Sequence, residues 1–522
     1  MQPGSGCPQS LRLAWWMGLL ALAIPAHAAG ELSLGAALEQ ALATNPNTLL
    51  QRQQVMSAEG LVLQARGPFD TWTNASAGRR RDLRPLRADE LSVYQTLGLD
   101  GRTQRQQSTT YSIGADKMML NGIVAGAGFS VQSITDNLQQ LAGVPSQLAG
   151  TVSFTLKVPM GRYAGRDTVG AELDARQAEV EATRADLQHG NAQLVLDTAM
   201  AYWDWVAKAK RVDIASASEQ RLAELVEEMK RLIAADQMPR ADIELVLASR
   251  AEKAVQRSAA EQALHEARKT LARLLGLPPE RVLEIGRPQD DFPSYLDVEV
   301  NKRDADLVQE ALAARVDLEA SRHREEAARY RLTAARNNLK PQVDLNLSVG
   351  YTGLAEGASS LRADRSLEMR AGPSAGATLT LQWPWENSGA RGSQRVAAAD
   401  YDSMSIRVRD LQNAIAINVP VATAALRRAA AQCQEGAVAV RRYETTLKNE
   451  RTKRRLGSST VIDVINVEDR LNNSLFAEVG LRQAYANAIA QLRFELGNLI
   501  RRTDEEYRVT LGPLLSGRAL SE

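Results

Sequence analysis

The sequence predicts an internally duplicated chain, mainly α with β, in which long coiled-coil hairpins adjoin amphipathic strands. Three observations predict it. Small and aliphatic residues recur every seven positions over a long proline-free stretch, short alternating segments stand before each such stretch, and the same order of elements is written twice in 522 residues. Aromatics make up only 5% of the chain. That composition suits long helices packed closely through alanine better than a few compact cores.

Residues 1–28 are expected to be a secretory signal. Arg12 precedes the apolar run "LAWWMGLLALAI", and Ala26, His27 and Ala28 fit the small-residue cleavage rule. The run is too short to span a bilayer as a membrane anchor. Removal would leave 62 basic and 62 acidic residues, a balance with no bias toward nucleic acid. Cys7 lies before the apolar run and so is not a lipid-bearing cysteine. Cys433 alone remains, so no intrachain disulfide is expected. No other apolar run reaches the length of a transmembrane helix, and a membrane-embedded mature chain would have to be a β-barrel.

The duplication is read from aligned segments. Ala263, Ala267, Leu271, Leu275 and Gly276 recur at Ala484, Ala488, Leu492, Leu496 and Gly497, an offset of 221. "VPMGRYAGR" from Val158 matches "WPWENSGAR" from Trp383 at an offset of 225. "QALATNPN" matches "EALAARVD", and "LQARG" matches "TAARN", both at 270. The first repeat is expected over 29–277, a linker over 278–304, the second repeat over 305–500 and a tail over 501–522. Each repeat should run helix, extended region, long helix, break, long helix, with the first extended region about 45 residues longer, as the offsets require.

The long helices carry heptads. Ala171, Ala178, Ala185, Ala192, Ala199 and Val206 form one seam, and Leu173, Val180, Leu187, Leu194 and Ala201 another. A strict seven-residue period implies a left-handed supercoil. Val408, Ile415, Ala422 and Ala429 repeat the pattern in the second half, where Pro420 should kink the helix. "TVSFTLKV", "QVDLNLSVGY" and "TLTLQW" alternate apolar and polar faces, which suits either a lipid-facing barrel or a one-sided soluble sheet. "YSIGA" and "GIVAGAGFSVQ" suggest a further hairpin, "DTWTNASAG" a weaker strand, and "RRR" at Arg79–Arg81 a solvated basic loop.

In "RRLGSSTVIDVINVEDRL", Gly457 should stop one long helix and a following Ser or Thr should cap the next. No catalytic constellation accompanies these elements. His189, His265 and His323 have no zinc-type spacing, and "AGAG" at Ala125–Gly128 lacks the lysine of a phosphate loop. No cofactor, metal site or enzymatic activity is expected.

With these pieces in order, the chain resembles the TolC-like outer membrane efflux proteins over nearly all of its mature length. The resemblance rests on "LGAALEQALATNPN", "PMGRYAGR", "PWENSGAR", "ALHEARKTLARLLGLP" and "RRLGSSTVIDVINVEDRL" followed by "AYANAIAQLRFELG". It implies a homotrimer in the outer membrane of a Gram-negative bacterium. Its barrel would have four strands per subunit and continue into a periplasmic α-helical tunnel. The duct would serve efflux or type I secretion, with a periplasmic adaptor and an inner membrane transporter of RND or ABC type as partners. The adaptor-docking tips would be Leu456, Gly457, Ser458, Ser459 and Thr460, with Gln237, Met238, Pro239 and Arg240 in the first repeat. Asp463 and Asp242 would stand at the constriction. Asn466 replaces the second aspartate of the family's ring, and Arg454 and Ser459 replace the residues of its latch. Asp463 as a solvated helix residue is the competing reading. The extra hairpin gives six candidate strands rather than four, as an extracellular elaboration or a separate sheet. A periplasmic adaptor or a coiled-coil scaffold without a pore is the alternative function.

Overall fold

The computed structural model describes residues 31–96, 98, 102–137, 143, 145–235, 242–295, 302–356, 370–503 and 506–509. Each repeat opens with two helices rather than one. In the first these are α1 (Leu34–Thr44) and α2 (Pro46–Arg66), and in the second α6 (Asp304–Ala314) and α7 (Val316–Asn337). The break at Asn45 has a local cause. A residue before proline is pushed out of the helical region, and Asn45 is extended at φ −64°, ψ 127°, with its side chain capping the Asn47 amide.

Six strands follow the opening helices: β1 (Thr71–Pro85), β2 (Thr103–Met118), β3 (Val124–Asp136), β4 (Gln147–Pro159), β5 (Gln342–Glu356) and β6 (Arg370–Gln382). Helix α3 (Ala88–Thr96) lies between β1 and β2. The long helices are α4 (Ala171–Ala234) paired with α5 (Asp242–Leu274), and α8 (Ser388–Arg455) paired with α9 (Val461–Glu495). Helix α4 runs 64 residues, about 95 Å at 1.5 Å per residue. Its predicted seams are largely buried, as are Val408, Ile415, Ala422 and Ala429. Helix α8 continues through Pro420, where proline has no N–H to bond the preceding turn.

The duplication is visible in how the repeats lock. Helix α5 ends at Gly276, φ +63°, and α9 at Gly497, φ +72°. At each, the next two amides bond back in a Schellman pattern: Gly276 and Leu277 to Arg273 and Ala272, Gly497 and Asn498 to Phe494 and Arg493. A β-carbon on Gly276 would sit 2.5 Å from the Thr44 carbonyl oxygen, and one on Gly497 3.0 Å from that of Ala314. Asn45 donates to the Leu274 carbonyl and Arg315 to the Glu495 carboxylate. So α5 abuts the α1–α2 joint, and α9 the α6–α7 joint. The layer therefore has four columns in the order α2/α5, α4, α7/α9, α8.

The linker packs onto this layer. Phe292 is buried against Trp203, and Tyr202 donates to the Leu32 carbonyl, joining the start of the described chain to the linker at Asp290. Strands β7 (Ile500–Thr503) and β8 (Glu506–Val509) pair, and Ile500 and Val509 join the same core.

The sheet differs from the expectation in three ways. All six strands form one antiparallel sheet in sequential order, not four. The β2–β3 hairpin is neither an elaboration nor a separate sheet, because it bonds to β1 on one side and β4 on the other. The weaker strand is a full 15-residue strand, and Arg79–Arg81 lie within it, not in a loop, because their backbones pair with Gln107–Thr109 of β2. By the repeat offsets, β1 and β4 correspond to β5 and β6, so the hairpin is the inserted piece.

Register divides the sheet into two faces. Ala75, Ile113, Phe129, Val152, Tyr351 and Pro373 stand side by side in one cross-strand row. The adjacent row, on the opposite face, reads Ser76, Ser112, Ser130, Thr151, Thr352 and Gly372. On the apolar face Ile113, Phe154, Val349 and Leu379 are more than half exposed, while Val131, Leu148 and Ala355 are covered toward the helix-distal end.

Candidate functional site

The turn from α8 to α9 is built by backbone rules. Gly457 takes φ +76°, where an L side chain would be strained. Its amide bonds the Arg454 carbonyl and that of Ser458 bonds Lys453, another Schellman stop. Thr460 then caps α9. Its hydroxyl accepts from the Asp463 amide at 3.2 Å, and the Asp463 carboxylate accepts from the Thr460 amide at 3.0 Å, a reciprocal capping box. Hydrogen bonds from the Thr460 hydroxyl and amide hold Asp463 below the usual carboxylate range. The Ser459 hydroxyl donates to Glu450 one turn back on α8, so the loop is tied to both helices.

Exposure separates support from display. Leu456 is 77% exposed and Ile462 54%, two apolar side chains in water at the end of the hairpin. Gly457, Ser458, Thr460, Asp463 and Asn466 are exposed beside them, and Ser459 is half-buried. Asp463 thus has a demonstrable capping role at the surface of the single chain. Asp242 is the first residue of α5. Gln237, Met238, Pro239 and Arg240 lie outside the described residues.

Behind the turn the sequence reading missed a buried ionic cluster. Glu468 on α9, its side chain 2% exposed, accepts from Arg221 of α4 at 2.6 Å and from Ser218 at 3.3 Å, with Arg451 of α8 at 3.7 Å. Arg454 of α8 pairs with Glu228 of α4 and Lys253 of α5 with Asp469 of α9, each pair bridging over the column between them. Apolar clusters flank these pairs: Val461 and Ile465 against Leu222, Val226 and Met229, and Val464 and Leu471 against Val440 and Leu447. A signal was available. Val461, Ile465, Glu468, Asn472, Leu475 and Val479 follow a four–three spacing, so Glu468 and Asn472 interrupt an apolar heptad seam. Among the described residues no cluster of His, Cys, Asp or Glu could hold a metal, and no helix is long and apolar enough to cross a membrane.

Residues 307–498, nearly all of the second repeat, match the family described as outer membrane efflux protein. No curated protein matches the chain. Among solved structures, the outer-membrane channel OprN is similar at 17% identity over 89% of this chain and 90% of that one, with a TM-score of 0.65. The Campylobacter jejuni CmeC outer membrane channel is similar at 12% identity over 89% and 85%, with a TM-score of 0.63. The Vibrio cholerae outer membrane protein VceC is similar at 17% identity over 89% and 96%, with a TM-score of 0.62. The second repeat thus matches the outer membrane efflux protein family, and the chain shares its fold with solved outer-membrane channels over most of its length.

Proposed function

We propose that three copies of the chain assemble into a passive exit duct in the outer membrane of a Gram-negative bacterium. The sheet embeds in the bilayer and the helical columns enclose a periplasmic tunnel. One observation carries this reading: the sheet shows an exposed apolar face along β4, β5 and β6, with Phe154, Val349 and Leu379, while β1 sets Arg79 and Arg81 on the same face, and its edges β1 and β6 pair with no further strand among the described residues. An apolar sheet in lipid must close, because open backbone edges are not tolerated there. The helical layer has the same logic. Its exposed large apolar residues lie on the two outer columns, including Leu50, Met56 and Val255 on one side and Ile406, Ile417 and Val421 on the other. The middle columns show only Ile462 at the tip among the described residues. Edges of both layers thus call for the complementary edge of another copy. A periplasmic adaptor or a soluble scaffold has no use for the apolar sheet.

In this reading Leu456–Thr460 dock the hairpin of a periplasmic adaptor, which couples the duct to an inner membrane transporter of RND or ABC type. Three copies of Asp463, with Asp242 nearby, ring the constriction and favour cations. Native mass spectrometry of protein extracted from outer membranes should give trimers, and a well-behaved monomer would sink the duct. In planar bilayers, Asp463→Ala should reduce cation preference with trimers intact. Unchanged selectivity would leave Asp463 with its capping role alone. Bulky changes at Ser458 should abolish export at normal protein levels if the turn docks the adaptor.

A further inference from the structure

We infer that the trimer closes an eighteen-stranded barrel, as wide as the helical tunnel beneath it, so that the duct does not narrow where it enters the membrane. The inference rests on the trimeric duct reading. Its own ground is the inserted hairpin. Strands β2 and β3 are bonded on both sides and share both faces of the sheet. Three copies of a six-stranded sheet supply eighteen strands.

The widths agree. Four helical columns at interaxial distances near 9 Å form a layer about 36 Å across. Six strands spaced 4.8 Å apart and tilted by about 40° span about 38 Å, whereas four would span about 25 Å. Closed threefold, eighteen strands give a backbone diameter of about 36 Å, and twelve about 24 Å. The insertion therefore brings the sheet to the width of its own helical layer.

The hairpin is seated to do this. No helix continues from its turn at 119–123, so it needs another support at the sheet–helix junction. The turn rests on the segment joining β4 to α4, where Gly165 donates to the Asn121 carbonyl at 3.1 Å. Gly122, φ +88°, lies so close to the Tyr163 carbonyl that a side chain would not fit. The lumen face offers hydroxyls and glycines, as in the row from Ser76 to Gly372. It can hydrogen-bond cargo along that row, and Arg80, Asp82, Asp116, Lys157 and Asp344 add charges of both signs elsewhere on the same face. A barrel of this width does not select by size among cargo that has already traversed the tunnel.

Cryo-electron microscopy of trimers extracted from outer membranes tests the strand count, with about 36 Å expected and about 24 Å for the smaller ring. Disulfide trapping in the full chain tests neighbours. Ala127→Cys with Phe154→Cys, register partners of β3 and β4, should crosslink within one chain. Arg79→Cys with Gly150→Cys should not. Those two positions correspond through the repeat offsets to the β5–β6 partners Val349 and Ala375, and they would meet only if β1 paired directly with β4. Trimers with twelve strands and a 79–150 crosslink overturn this inference and leave the duct intact. Absence of trimers overturns the duct reading, and the inference with it.

Discussion

Arg221→Ala should loosen the hairpin tip more than removal of its partner Glu468. The Glu468 side chain is 2% exposed and is held by the Arg221 Nε at 2.6 Å, with Ser218 and the more distant Arg451 as further partners. Deleting one member of a buried ion pair costs about 3–5 kcal/mol when the other is left uncompensated. Here Arg451 remains at 3.7 Å and Arg221 is itself 24% exposed, which brings the expected cost to about 2 kcal/mol, roughly a 30-fold rise in local opening. Glu468→Ala leaves the reverse problem, two arginines that are 24% and 36% exposed and can turn toward water, so its cost should stay near 1 kcal/mol. Glu468→Leu, which fills the seam with apolar volume, should be about neutral. Amide hydrogen exchange over residues 461–475 measures the opening, with the sheet as internal control. Wild-type exchange in Arg221→Ala, or equal damage from Glu468→Leu, would refute the claim that an uncompensated carboxylate governs the cost.

Gly276→Ala should destabilise the first repeat by several kcal/mol, since its β-carbon would stand 2.5 Å from the Thr44 carbonyl at positive φ. Gly497→Ala, with 3.0 Å to spare, should cost less, and thermal melts rank the two. The capping box should respond to pH with a definite sign. Because Asp463 titrates below its ordinary value, its contribution is full above the unfolded pKa and is lost as pH falls through the folded one. The protection factor of the Thr460 amide, its rate relative to an unstructured chain at the same pH, should therefore fall only below about pH 4. Cys433, buried in α8, has its thiol pushed up to about 11 by burial. Alkylation at pH 8 should be negligible in native protein and rapid after denaturation.

Local rules carried much of this fold into the sequence. The heptads from Ala171 to Val206 become α4, because a seven-residue seam is satisfied by helices alone. Gly457 and Thr460 mark the tip, because a left-handed stop and a hydroxyl cap are single-residue requirements. The offsets placed Gly276 and Gly497 in equivalent positions, and the structure locks each against the joint of its own opening helices. Tertiary structure alone decided the rest. Alternation in "YSIGA" and "GIVAGAGFSVQ" announces strands but not their neighbours, since pairing is made by backbone groups that carry no sequence signature. Arg79–Arg81 show no alternation, yet they extend β1 because β2 offers them a full ladder of partners. Glu468 has the composition of a surface residue, and it is buried because α4 and α8 close over it, bringing Arg221 and Arg451 to compensate its charge.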